Sequence, residues 1–151
     1  MNKAEVYYFD TSALLPYYRE EAVSPLVQDF LSLSRPPLLI SDLTRLEVAS
    51  AIARWVRMDE ISEPQANLLE NTFVMDVHSG LFVSRQLTTV HYNQAEKWLS
   101  GRKTSLRTLD ALHLACSWNF RAVLVTCDLV MHRAAEMLGV ANTLISPPTN
   151  G

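Results

Sequence analysis

Four carboxylates stand where a folded chain would gather them. Asp10 directly follows the β-prone run EVYYF at residues 5–9, and Asp128 closely follows AVLV at residues 122–125. Both runs read as buried strands, so both acids fall at the carboxyl ends of strands. Asp110 comes two residues after Thr108, the expected cap of a helix, and therefore lies in that helix's first turn. Glu47 sits on the flank of another helix, about 100° around the axis from Val48, where a side chain can reach a cleft rim. Carboxylates crowded at one edge repel one another, and a divalent cation with a taste for oxygen ligands relieves that repulsion. Each acid also has an ordinary explanation. Asp10 and Asp128 suit helix N-caps, Asp110 suits the positive end of a helix, and Glu47 suits a solvated face. Residue types and spacing alone thus give an acidic edge and leave its purpose open.

The elements that must hold these acids alternate along the chain. A short helix is expected from residue 11, disturbed by Pro16. Residues 24–33 suit a helix, which Arg35-Pro36-Pro37 stops. Residues 38–40 (LLI) are a short buried strand, with Ser41 or Asp42 capping the next helix. That helix runs to about Arg57, with Val48, Ala51, Ile52, Trp55 and Val56 on one stripe at i, i+3, i+4, i+7, i+8. Further helices are expected over 63–77, over 92–99 closed by Gly101, over 108–118 and over 129–138. The helix at 108–118 should turn Leu109, Leu112, Ala115 and Cys116 to one side. Strands are expected near 81–83, at 122–125 and at 140–145. Strands alternating with helices, and nearly continuous apolar strands, imply a parallel sheet covered on both faces. Ligands of such sheets collect at the strands' carboxyl ends.

The chain as a whole narrows the class. Its 151 residues favour one domain, expected over 1–146 with a short tail at 147–151. No apolar run is long enough to cross a membrane, and the N-terminus does not read as a secretory signal. Cys116 and Cys127 lie in no ligand-spaced motif and read as small buried residues of a reducing, cytoplasmic compartment. Net charge is −3, but it is unevenly placed. Residues 59–78 carry five acids and no Lys or Arg. Residues 79–109 carry Arg85, Lys97, Arg102, Lys103 and Arg107 against Glu96 alone. A basic stretch beside a neutralised acidic site can bind phosphate.

Four blocks carry a resemblance: YFDTSALL (8–15), LTRLEVASAIAR (43–54), LRTLDALHLACS (106–117) and VTCDLVMHRAAEMLGV (125–140). Together and in this order they resemble a PIN domain, in particular the toxin ribonucleases of VapBC-type toxin–antitoxin pairs. The resemblance implies a three-layer α/β/α fold around a parallel five-stranded sheet. It implies an acidic site at Asp10, Glu47, Asp110 and Asp128, holding Mg²⁺ or Mn²⁺. Asp10 and Asp110 would hold the principal ion, Glu47 would orient water or act as base, and Asp128 would complete the site. Thr11, Ser12 and Thr126 match the family's supporting hydroxyl positions. The implied activity is endoribonucleolytic hydrolysis of RNA by the toxin of a type II pair. A cognate antitoxin and a homodimer are the implied partners, and no membrane is.

Other residues are weighed beside this set. Arg102, Lys103 and Arg107 flank Asp110 and are candidates for RNA phosphates. His113 follows Asp110 by three residues, but its neighbours Leu112 and Leu114 favour a packed or hydrogen-bonded histidine. Tyr17, Tyr18, Leu26 and Phe30 could line an apolar groove for an antitoxin segment. Two other classes fit less well. A haloacid-dehalogenase-like phosphatase needs a second Asp where Ser12 stands. A non-catalytic binding module would have no need of the full acid set, nor would the resemblance distinguish a toxin from a PIN nuclease of RNA processing.

Overall fold

In the computed structural model, which describes residues 5–147, twelve elements alternate as the sequence pattern implies. They are β1 (Tyr7–Phe9), α1 (Thr11–Tyr18), α2 (Ser24–Leu33), β2 (Leu38–Ser41), α3 (Asp42–Arg57) and α4 (Glu63–His78). The second half comprises β3 (Phe82–Arg85), α5 (Thr89–Gly101), α6 (Thr108–Asn119), β4 (Val123–Thr126), α7 (Leu129–Leu138) and β5 (Asn142–Leu144). The expected tail at 147–151 lies outside the described residues from 148 onward. No helix among the described residues is long and apolar enough to cross a membrane.

All five strands are parallel, in the order β3-β2-β1-β4-β5. The chain builds outward from β1 through β2 to β3, then crosses over to β4 and β5. The direction reverses between β1 and β4, whose register pairs Phe9 with Val125. A crevice opens at the carboxyl ends of strands where order reverses in this way. Asp10 and Asp128 follow those two strands.

Alternation along the strands sends side chains to two separate cores. Tyr8, Leu39 and Leu124 face α5, α6 and α7 with Ala111, Leu114, Ala115 and Met131. Phe9, Leu38, Ile40, Phe82 and Val125 face α1–α4 with Leu14, Val27, Val48 and Ile52. The sheet is therefore buried on both faces, which is why its strands read as continuous apolar runs rather than alternating ones.

Local chemistry corrects three expectations. Helix α5 ends on Gly101, but Arg102 takes the left-handed capping conformation at φ 53°. Helix α6 is capped by the extended backbone of Arg107, so Thr108 is its first residue rather than its cap. Leu109 is exposed, and the buried residues run without a break from Ala111 to Ser117, because α6 is enclosed by the sheet, α5 and α7. Tyr17, Tyr18, Leu26 and Phe30 are partly buried against the α1–α4 core, and the Tyr18 hydroxyl donates to Asp76 at 2.7 Å. Helix α1 runs through Pro16 to Tyr18. A proline there forgoes one intrahelical bond, a cost its burial offsets.

Both cysteines are free. Burial, above all, pushes each thiol up to about 12, and for Cys127 the nearby charges of Asp10 and Glu21 add to it. Since the thiolate is the nucleophile, the native protein should react with iodoacetamide at pH 7.5 on the order of a hundredfold more slowly than the urea-unfolded chain. Mass spectrometry of a timed quench measures this, and equal rates would mean that the thiols are open in solution.

Candidate functional site

Each acid is placed by the element that ends or begins beside it. Asp10 leaves β1 with its amide bonded to the Val125 carbonyl of β4 at 3.1 Å, and caps α1 by accepting the Ala13 amide at 3.1 Å. Ser12 Oγ donates to its Oδ1 and Thr126 Oγ1 to its Oδ2, both at 2.6 Å. The side chain is only 3% exposed. Burial raises its carboxyl above the ordinary range, and the electrostatic pull of the His113 imidazole with the donors from Ser12, Thr126 and Ala13 offsets only part of that rise. Asp128 caps α7 by accepting the Val130 amide at 2.9 Å, while its own amide donates to Thr126 Oγ1 at 3.0 Å. Thr126 thus joins Asp10 to Asp128 across the switch point. Ser12 adds a second tie by accepting the Cys127 amide at 3.0 Å.

A cleft of about 740 Å³ opens above these strand ends. Glu47, Asp110 and Asp128 line it together with Ser105, Arg107, Thr108, Leu109 and Val130. Asp10 lies beneath rather than in the wall. The Asp110 carboxyl is raised, first by burial and then by the negative charges of Asp128 and Glu47, so the three cleft acids feel one another. Glu47 moves the other way. Burial alone would raise it, but the hydrogen bond from the His113 imidazole, its electrostatic pull and the Thr11 hydroxyl hold the carboxyl below its ordinary value. Thr11 Oγ1 donates to Glu47 Oε1 at 2.8 Å, and His113 Nε2 meets the same oxygen.

The structure therefore brings Glu47, Asp110 and Asp128 to one cleft, sets Asp10 on its buried side, and uses Thr11, Ser12 and Thr126 to hold those carboxylates. Of the basic candidates, Arg107 lines the cleft; Arg102 and Lys103 are exposed and do not. Sequence reasoning missed Ser105, Leu109 and Val130 as lining residues. It read His113 as packed or hydrogen-bonded; the structure shows both and names the partners, Glu47 and Tyr8. The spacing of three from Asp110 was the available signal.

The donor set suits a hard divalent cation, being all oxygen and acidic. Among the described residues no three candidate ligands are already drawn to one point.

A parallel sheet with carboxylates gathered at its switch point, helices on both faces and this order of blocks is the frame of a PIN domain. The PIN domain family model matches residues 7–137, and the chain belongs to that family. Among solved structures, the FitAcB structure from Neisseria gonorrhoeae superposes with a TM-score of 0.67 at 16% identity, covering 91% of this chain and 96% of that one. VapC20 of Mycobacterium tuberculosis, a sarcin-ricin loop cleaving toxin, superposes with a TM-score of 0.66 at 14% identity, covering 85% and 94%. VapBC2 from Rickettsia felis, bound to a DNA fragment from its promoter, gives 0.63 at 12% identity, covering 92% and 98%. At these identities the likeness is one of fold. No curated protein matches the chain.

Proposed function

We propose that this PIN domain is a Mg²⁺- or Mn²⁺-dependent endoribonuclease and the toxin of a type II toxin–antitoxin pair. The observation that carries the reading is the convergence of Glu47, Asp110 and Asp128 on one cleft at the sheet's switch point, with Asp10 anchored below them. Asp110, Asp128 and Glu47 would hold the ion from the cleft walls. Asp10 would close the site from the buried side, since a carboxylate oxygen that accepts one hydrogen bond keeps a second lone pair. The bound ion supplies Lewis acidity toward the phosphoryl group. Glu47 supplies the carboxylate that takes a proton from attacking water, and Arg107 supplies the positive charge that seats a neighbouring phosphate. The similarity in fold to toxin structures, one of them a sarcin-ricin loop cleaving toxin, supports RNA as substrate. An antitoxin partner, self-association as a homodimer and a cytoplasmic location belong to the same reading.

Incubation of the purified protein with labelled RNA tests it. Cleavage should appear with Mn²⁺ or Mg²⁺ and vanish with excess EDTA. Mn²⁺ should also raise the melting temperature, because an ion that binds only the folded state stabilises it. Identical melting curves with Mn²⁺ and with EDTA, and no cleavage with either ion, would overturn the metal-dependent reading. Co-expression with the adjacent small gene tests the pair: its product should co-purify and suppress cleavage.

Arg107 makes a separate prediction. Arg107→Gln should weaken RNA binding and lower the salt slope by about 1. Arg102→Gln and Lys103→Gln should change it less, because neither side chain lines the cleft. Fluorescence anisotropy across a salt series reads the slopes, and an unchanged slope in Arg107→Gln would place the phosphates elsewhere.

A further inference from the structure

Behind Glu47 runs a line of hydrogen bonds that reaches through the sheet edge to the start of its own helix. His113 lies in mid-α6 and is 2% exposed. Its Nδ1 is 2.7 Å from the Tyr8 hydroxyl of β1, and its Nε2 meets Glu47 Oε1 on α3. The Tyr8 hydroxyl is in turn 2.9 Å from Ser41 Oγ. Ser41 is the N-cap of α3 and accepts the Thr44 amide at 3.3 Å.

The donors and acceptors fix the direction of this line where it meets Glu47. An ionised Glu47 can only accept, so Nε2 must carry a proton and donate. Nδ1 is paired with the Tyr8 hydroxyl in either sense, accepting the phenol proton as a bare ring nitrogen or donating to the phenol oxygen when it carries a proton. The Tyr8 and Ser41 hydroxyls share one further hydrogen bond. Thr11 Oγ1 donates to the same Glu47 oxygen, so Oε1 takes two donors and Oε2 takes none from the described residues. Simple packing does not call for this arrangement. The flanking Leu112, Leu114 and Ala115 already fill the contact with apolar side chains, and a buried imidazole is costly unless both nitrogens are paired.

We infer that His113 is a positioning residue for Glu47: backed by Tyr8, it pins Oε1 and leaves Oε2 as the one oxygen offered to the cleft. The activity arm of this inference rests on the nuclease reading. A second arm does not.

The first arm compares His113→Leu, His113→Gln and Tyr8→Phe in RNA cleavage, alone and combined with Glu47→Gln. Partners behind a site's ligands typically matter by about 10–100-fold. His113→Leu should lower kcat by about that factor with KM little changed. His113→Gln, whose amide nitrogen can still donate to Oε1, should recover most of the loss. His113→Leu should cost little further in the Glu47→Gln background, because the residue acts through Glu47. If His113→Leu does not fold, Tyr8→Phe and His113→Gln carry the comparison, with Tyr8→Phe expected to lower kcat several-fold. Wild-type kcat in every foldable variant, or losses that multiply with Glu47→Gln, would overturn the assignment. The second arm is a long-range ¹H–¹⁵N spectrum of the full chain with ring-labelled histidine. His113 should show a protonated Nε2 whose shift moves in Glu47→Ala; an unprotonated Nε2 would overturn the assignment. Should the wild type cleave no RNA, the nuclease reading falls, and the ring-nitrogen spectrum still decides whether His113 holds Glu47.

Discussion

Asp110→Asn should lower RNA cleavage by about a thousandfold or more, the scale on which removing a group that stabilises transition-state charge acts, and should also raise the melting temperature of the metal-free protein. The two effects have one cause. The Asp110 carboxyl sits above its ordinary value because it is partly buried and faces Asp128 and Glu47. A carboxyl with a raised folded-state pKa binds its proton more tightly when folded. The stability it contributes is complete below the unfolded value and is lost as pH rises through the folded one. At neutral pH the ionised group therefore strains the fold, and the neutral amide removes that strain together with the charge a cation needs. The metal-free wild type should gain melting temperature relative to Asp110→Asn as pH falls from 7 toward the carboxylate range, so the two curves converge. Added Mn²⁺ should stabilise the wild type more than the variant. Scanning fluorimetry with EDTA and with Mn²⁺ reads both arms. A variant that cleaves at the wild-type rate, or that melts lower than wild type without metal, would contradict the assignment of Asp110.

This tension between stability and charge explains why the acids were legible in the sequence while their arrangement was not. Asp10 and Asp128 announce themselves because each follows a run apolar enough to be a buried strand, and both serve as helix N-caps as well. The ordinary explanation and the functional one hold together at these two residues. What spacing could not convey is depth. Asp10 is enclosed under Thr126 and Ser12, whereas Asp128, two residues after Thr126, reaches the cleft wall. That difference depends on how β4 lies against β1, a contact between residues more than a hundred positions apart.

Elsewhere the limits were local. Helix α5 begins at Thr89, three residues before the expected start, because the Thr88 amide is capped by His91 Nδ1 at 2.9 Å instead of by the Glu or Gln of a familiar capping box. Helix α6 misled because periodicity finds one apolar face, and a helix buried on all sides has no single face to find. Tyr17 and Tyr18 are amphipathic, and sequence alone cannot say whether a partner or the protein's own α4 receives the hydroxyl. Here Asp76 of α4 receives that of Tyr18. His113 combines both limits, being buried by packing and bonded across 66 positions to Glu47.

Thr126→Val should be the most damaging small change to the fold of the site. Valine keeps the shape and removes the hydroxyl, which serves two partners at once. It donates to Asp10 Oδ2 at 2.6 Å and accepts the Asp128 amide at 3.0 Å. Its loss leaves a buried carboxylate oxygen unpaired, and such a group costs about 1–3 kcal/mol, more when charged. For a chain of this size that corresponds to a fall of roughly 2–12 °C in melting temperature. Ser12→Ala should cost less, about 1 kcal/mol: it also frees the Cys127 amide, but its contacts are only part-buried, and Asp10 Oδ1 keeps the Ala13 amide when the serine donor goes. Thr126→Ser should sit close to wild type, since it restores the hydroxyl. The Thr126 donor lowers the Asp10 carboxyl, so removing it raises a pKa that burial has already lifted. The penalty of Thr126→Val should therefore be largest at neutral pH, where Asp10 must be ionised without its donor. It should shrink as pH falls through the folded-state value and the carboxyl takes up its proton. Thermal or urea unfolding of the three variants across pH measures the order and the slope. A Thr126→Val penalty no greater than that of Ser12→Ala, or one that grows as pH falls, would mean that Asp10 is not held in the charged form by the end of β4.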